Sequence, residues 1–167
     1  PTYRQAKQIA WKALKQIMPP SQVISTNETD LSMELINGTT AALRGADNYD
    51  SLRGVGLDFS IMDEFADMNP DAWFEVLRPM LADKMGRALW IGTPKGYNHF
   101  HDLYRFAQEP ENEDWIAFQF TTADGSRVEK SEIIAARRDM GEREFRQEFL
   151  ATFESLSGRV YSNFDRE

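Results

Sequence analysis

The chain contains no cysteine, which excludes disulfides, thiolate zinc sites and cysteine nucleophiles together. His99 and His101 are its only imidazoles, so any bound metal has to be held mainly by oxygen. No apolar run approaches the roughly 20 residues of a membrane span, and the opening PTYRQAKQ lacks the apolar centre of a secretory signal. The setting expected is soluble and cytosolic, without a membrane partner. Excess positive charge is missing too. A net charge of −8 disfavours indiscriminate attraction to a polyanion and counts against a simple DNA-binding module. It leaves room for an enzyme that holds DNA through a local basic patch, or as one subunit of a ring. Finally, no G-x-x-x-x-G-K-[ST] phosphate loop occurs anywhere, and GTPKG at 92–96 has neither its spacing nor its Lys-Ser/Thr end.

What is present suffices for a core: 167 residues, 41% apolar and 12% aromatic, predict one globular unit. Thr2 is placed to cap a helix whose inner face carries Tyr3, Ala6, Ile9, Ala10, Ala13, Leu14 and Ile17, and Pro19-Pro20 end it. Leu31, Met33 and Leu35 alternate before Asn37-Gly38 and the run Thr39 to Leu43, which predicts a β-hairpin with a tight turn. Leu57 to Met62 predicts a buried strand. Asn69-Pro70-Asp71 opens a helix with Trp73, Phe74, Leu77 and Leu81 at helical spacing. Arg87 to Ile91 is a second apolar strand, stopped by Gly92-Thr93-Pro94. A helix with Phe100, Leu103, Tyr104 and Ala107 follows, then a strand at Trp115 to Phe120 and helices near Lys130 to Met140 and Glu142 to Leu150. Strands alternating with helices predict a three-layer α/β fold with a mainly parallel sheet.

Both ends read as interruptions. Pro1-Thr2 enters a helix with no strand before it, and ATFESLSGRVYSNFDRE after Leu150 is an extended segment with a Ser-Gly turn and no closing element. The expectation is a chain cut from a larger protein.

Ligands of open α/β sheets sit beyond the carboxyl ends of the strands. Two strands here end in polar residues, one in Asp63-Glu64 and the other in Gly92-Thr93-Pro94. An apolar strand followed by Asp-Glu is the second nucleotide motif (Walker B) of many P-loop ATPases, in which the Asp holds Mg²⁺ beside the phosphates and the Glu polarises the attacking water. Successive residues leave a strand in different directions at one edge of the sheet, which suits both tasks. Four apolar residues and two acids also describe a solvated strand end, and the residues alone leave both readings open.

The order PTYRQA, a hairpin, LRG at 52–54, IMDE at 61–64, IGTPKG at 91–96, then FLATFES and GRVYSNFD, resembles the large terminase subunit of tailed bacteriophages over nearly the whole chain. The resemblance implies a P-loop NTPase fold of the ASCE type, incomplete at the N-terminus. Residues 1–150 would be the part of the ATPase domain after the phosphate loop, and 151–167 the start of the nuclease domain. It implies ATP and Mg²⁺ as cofactors of the complete protein. Asp63 would be the metal-associated acid, Glu64 the catalytic carboxylate, Thr93 a residue of the coupling motif, and Arg53 an arginine reaching a neighbouring subunit's nucleotide, with Arg44 a weaker candidate for that role. It further implies double-stranded DNA, portal protein, small terminase subunit and a homo-oligomeric ring as partners, in the cytoplasm of a bacterial host. The alternatives are a helicase-like P-loop ATPase, or a non-catalytic module that docks portal or small subunit through its acidic surface.

The remaining features carry plainer expectations. Trp73, Phe74 and Leu77 read as helix core rather than a base-stacking platform. His99 and His101, two residues apart at a helix start, are poorly spaced for a shared metal and read as surface or capping residues. Arg137, Arg138, Arg143 and Arg146 interleave with Glu142, Glu144 and Glu148, which predicts a salt-bridged helix face rather than a DNA contact. Asp165 is given no role.

Overall fold

Trp11, rather than the aliphatic residues around it, organises the first part of the fold. The computed structural model describes residues 6–54, 56–125 and 127–155, and the chain divides into two compact units, Pro1–Ile91 and Gly92–Glu167. Thr2 and Tyr3, the expected cap and first apolar contact, lie outside the described residues, as does Asp165.

In the first unit, π-type helical backbone over Ala6–Trp11 runs into helix α1, Lys12–Ile17. Ile9 and Ile17, expected inside, are 72% and 76% exposed, while Trp11 is 2% exposed. The buried stripe is Trp11, Leu14 and Met18, packed against Leu31, Met33, Val23, Leu35 and Leu43. The wider π-type turns shift residues off an α-helical count. The indole also offers more apolar surface than an isoleucine, together with an N–H that finds a partner. Its Nε1 donates to Glu28 at 2.8 Å, and Lys15 Nζ donates to the other Glu28 oxygen at 2.7 Å while lying 5.6 Å from the indole centroid.

The sheet under this helix has strands β1 (Val23–Asn27), β2 (Ser32–Leu35) and β3 (Thr40–Ala42), paired antiparallel in that order. The expected hairpin is β2–β3, in register Glu34↔Thr40. Its turn is a three-residue loop: Gly38 N donates to Leu35 O at 2.9 Å and Gly38 sits at φ +81°, the left-handed position that follows a type I turn in such loops. β1 is an unexpected strand. Its mostly exposed sequence VISTN has no alternating apolar face, and a bulge shifts its register between Val23 and Ser25.

The second sheet is a parallel pair, β4 (Phe59–Met62) and β5 (Arg87–Trp90), in register Met62↔Trp90. Between them a π-type helical segment, Ala72–Leu77, continues as helix α2, Arg78–Ala82. Trp73, Leu77 and Leu81 are buried as their spacing predicts, with the Trp73 ring edge-on to Trp90 at 4.6 Å; Phe74, expected in the same core, is exposed. The strands are not buried on both faces. Met62 turns inward, whereas Phe59 and Ile61 are 54% and 57% exposed. The described residues thus form an α/β fold with a small parallel sheet and a separate antiparallel one. Gly86 makes the tight return into β5: a Cβ there would stand 2.2 Å from the Leu57 carbonyl oxygen.

The second unit holds helices α3 (His99–Phe106), α4 (Lys130–Asp139) and α5 (Glu142–Leu150). Asn98 supplies the cap of α3, accepting from the amides of Phe100 and His101, a task that sequence reasoning left to the histidines. The expected strand at Trp115 to Phe120 is not formed. The segment alternates, with Ile116, Phe118 and Phe120 outward, but it pairs with no strand among the described residues, and period-two patterning cannot substitute for a ladder. Arg137 pairs with Glu142, Arg143 with Glu144 and Arg146 with Glu154, the salt-bridged surface that the interleaved charges predict.

Candidate active site

The end of β4 is pinned to the end of β5 through both backbone groups of one residue. Ile91 N donates to Met62 O at 2.9 Å, and Phe65 N donates to Ile91 O at 3.0 Å. The two residues between those anchors are Asp63 and Glu64, so the acid pair is an arch fastened at both feet to the carboxyl edge of the parallel pair. Glu64 takes left-handed backbone, φ 54° and ψ 45°. That conformation costs a side-chain-bearing residue about 1–2 kcal/mol, and here surrounding bonds hold it: Asp63 Oδ1 accepts Glu64 N at 3.1 Å, and Glu64 O accepts Asp67 N at 2.9 Å to start the turn Phe65–Asp67. Phe65 and Ala66 are buried immediately behind the pair. Left-handed backbone also occurs at Leu31, Met85 and Ala151. Glu64 differs from them in bearing a carboxylate at a strand's carboxyl end.

Both acids are exposed, and neither has an ion-pair partner among the described residues. Asp63 spends one oxygen on the Glu64 amide and keeps the other for solvent or a ligand. Among the described residues no three His, Cys, Asp or Glu side chains converge as a protein-only metal site. An exposed Asp with a spare oxygen fits Mg²⁺, which is usually held by one or two carboxylates and completes its octahedron with water and phosphate oxygens. The residues that cradle a nucleotide's phosphates have no counterpart, since the chain has no phosphate loop sequence.

Arg53 follows the 3₁₀ turn Tyr49–Leu52. Its guanidinium engages neither acid of the arch. Nε donates to Asp50 Oδ1 at 3.1 Å, Nη1 donates to the Glu75 backbone carbonyl at 3.0 Å, and Nη2 lies 3.9 Å from the Glu75 carboxylate. Arg53 and Glu75, with Gly54, Gly56, Val76, Pro79, Met80 and Asp83, line a surface hollow of about 350 Å³. The acidic surroundings register on Tyr49, whose phenol pKa is raised above its ordinary value by desolvation first, then by the charges of Asp71, Glu75 and Asp50. Arg44, the weaker candidate, donates to the carbonyls of Leu43 and Asp30 at the margin of the antiparallel sheet. Thr93 is half-buried in the second unit, three residues beyond the end of β5. Sequence reasoning missed Asp50, Glu75 and Pro79 as the surroundings of Arg53; a proline inside an otherwise helical pattern was the available signal.

A family model described as "Terminase large subunit, T4likevirus-type, N-terminal" matches residues 1–167. The chain belongs to the large terminase family. It is 32% identical to the large terminase subunit of Escherichia phage T5 over 99% of its length, covering 38% of that protein. It spans 38–41% of the length of the curated relatives it matches. A mutant form of the large terminase ATPase domain of Thermus phage P74-26 superposes with TM-score 0.73 at 26% identity, covering 92% of this chain and 74% of that one. The large terminase of another thermophilic bacteriophage, solved in complex with ADP, has TM-score 0.71 over 98% of this chain and 41% of its own; at 16% identity that likeness speaks for the fold alone. Membership in this family sets aside the helicase-like alternative. Among the described residues no helix is long and apolar enough to cross a membrane.

Proposed function

We propose that the complete protein is the ATP-hydrolysing motor that packages viral double-stranded DNA, and that this chain supplies the part of its ATPase domain that follows the phosphate loop. Residues 1–150 belong to that domain and 151–167 lead into a nuclease domain. The observation that carries the reading is the pinned arch, in which two exposed carboxylates, without cationic partners among the described residues, stand at the carboxyl edge of a parallel strand pair, one on strained backbone. Strain of this kind tends to persist where a site requires it. The likeness to a large terminase ATPase domain at 26% identity supports a nucleotide as the ligand. The open apolar face with Phe59 and Ile61 supports a larger three-layer fold, because parallel sheets are ordinarily covered on both sides.

In this account Asp63 would hold Mg²⁺ through its spare oxygen, and the chemistry supplied there would be neutralisation of phosphate charge. Glu64, fixed by the arch, accepts a hydrogen bond from the attacking water and orients it toward the terminal phosphate. Arg53 reaches the nucleotide of the next subunit in a homo-oligomeric ring and offsets negative charge on the transferring phosphoryl group. Its present partners are exposed ion pairs and one carbonyl, which are weak enough to exchange. Thr93 senses the terminal phosphate and links its loss to movement of DNA. Portal protein and small terminase subunit are the expected partners, in the cytoplasm of the bacterial host. The non-catalytic docking module remains the competing reading.

The test is magnesium-dependent ATP hydrolysis by the complete protein and by its Asp63→Ala variant. Turnover in the first and a fall of about 10²-fold or more in the second, with the metal requirement shifted to higher concentration, are expected. A complete protein that neither binds nor hydrolyses ATP would favour the docking module and overturn the reading.

A further inference from the structure

Arg53 is the one site candidate whose position depends on a gap in a helix. The helical segment that begins at Ala72 changes from π-type to α-type spacing at Arg78, next to Pro79. Proline has no N–H, so Pro79 gives nothing to the carbonyl four residues back, that of Glu75. Arg53 Nη1 donates to that same oxygen at 3.0 Å. In the α-type spacing that begins at Arg78, an alanine at 79 would carry an N–H aimed along the helix at the same acceptor. Asp50 holds the opposite side of the guanidinium through Nε at 3.1 Å, while the Glu75 carboxylate stands at 3.9 Å from Nη2. The guanidinium is therefore located by two directional bonds and one looser charge contact, and the shorter of the bonds exists where the helix lacks its own donor.

We propose that Pro79 is a positioning residue for Arg53: by withholding an N–H it leaves the Glu75 carbonyl to accept the guanidinium, and Glu75 and Asp50 together fix the direction in which Arg53 points. Both Arg53 bonds at this hollow are exposed, so a carbonyl with no competing α-helical donor is the acceptor most readily kept. The clamp itself rests on geometry alone. Its consequence for catalysis rests on the reading of Arg53 as the residue acting on a neighbouring nucleotide.

The test separates the missing N–H from the missing ring. Pro79→Ala restores the N–H and removes the ring; lactic acid at position 79, the ester counterpart of alanine, removes the ring without restoring the N–H. The Arg53 guanidinium is followed by nitrogen-15 NMR as its rotation about the Nε–Cζ bond, in the complete protein. Rotation is expected to quicken about tenfold in Pro79→Ala, the lower end of the effect of losing a bond to a charged donor, and to stay near the wild-type rate in the ester variant. Equal rates in the two variants, fast or slow, would overturn the proposal. ATP turnover is measured on the same samples. Slower turnover in Pro79→Ala, restored in the ester variant, extends the clamp to catalysis. Guanidinium release without any change in turnover overturns the role of Arg53 in hydrolysis while the clamp stands.

Discussion

Phe65 donates its amide to the carbonyl of Ile91 at 3.0 Å, across the carboxyl edge of the parallel strand pair. Because the Ile91 amide in turn bonds the carbonyl of Met62, directly before Asp63, the acids are confined to a short arch whose feet cannot separate without breaking strand pairing. A catalytic carboxylate benefits from this rigidity, since a water oriented by a mobile side chain loses much of the advantage of positioning. The same arch explains how Glu64 remains in left-handed backbone.

The first prediction concerns the N-terminal helix. Trp11→Ala removes an indole that is 2% exposed together with the donor to Glu28. Its expected cost is about 3–5 kcal/mol, read as a lowered urea midpoint. Ile9→Ala, at a position expected inside but found exposed, should cost less than about 0.5 kcal/mol. Equal losses for the two would contradict the packing described.

Much of the fold was legible because its signals are local. Asn37-Gly38 marks a turn by its own chemistry, and Trp73, Leu77 and Leu81 mark a buried helical stripe. The inner face of the first helix was misread because the π-type spacing over Ala6–Trp11 breaks the count on which periodicity depends. Strand β1 was missed because an exposed, polar edge strand need not alternate. Conversely, Trp115 to Phe120 alternates well yet lacks a ladder partner among the described residues, which no local pattern can report. For the site, Asp63 and Glu64 stood out by following an apolar strand. The Arg53 clamp did not, because Asp50 lies in the local turn three residues back but Glu75 and Pro79 meet Arg53 only through tertiary structure.

The segment after α5 provides a pH test. Glu154 accepts bonds from Thr152 Oγ1 and Arg146 Nε, each at 2.7 Å, and these hold its pKa below the usual glutamate value, the Thr152 bond first. A depressed folded pKa contributes stability above the unfolded value, and that contribution disappears as pH falls through the folded one. Wild type should therefore exceed Glu154→Gln in stability at pH 7. The gap should close as pH drops below the ordinary glutamate range of about 4.3. Denaturant midpoints measured across that window check it, and a gap independent of pH would show that the carboxylate charge is immaterial.

Thr93 is expected to transmit hydrolysis rather than perform it. Thr93→Val in the complete protein keeps the side chain's shape and removes the hydroxyl. Loss of one bond to a charged phosphate costs on the order of 1.5–3 kcal/mol, so ATP should still bind while DNA packaging slows about tenfold or more, with native circular dichroism. Packaging at the wild-type rate would reduce Thr93 to a turn residue.

The most direct measurement is ATP binding and turnover by the complete protein carrying Glu64→Gln. The amide preserves the size of the side chain and the Glu64 backbone bonds to Asp63 and Asp67, but it lacks the charge that orients and polarises water. ATP affinity is expected to remain within about threefold of wild type while turnover falls by about 10²–10⁴-fold, the range associated with general acid–base groups. Turnover within about twofold of wild type, in a variant that still binds ATP, would contradict the assignment of the pinned acid pair as the hydrolytic centre.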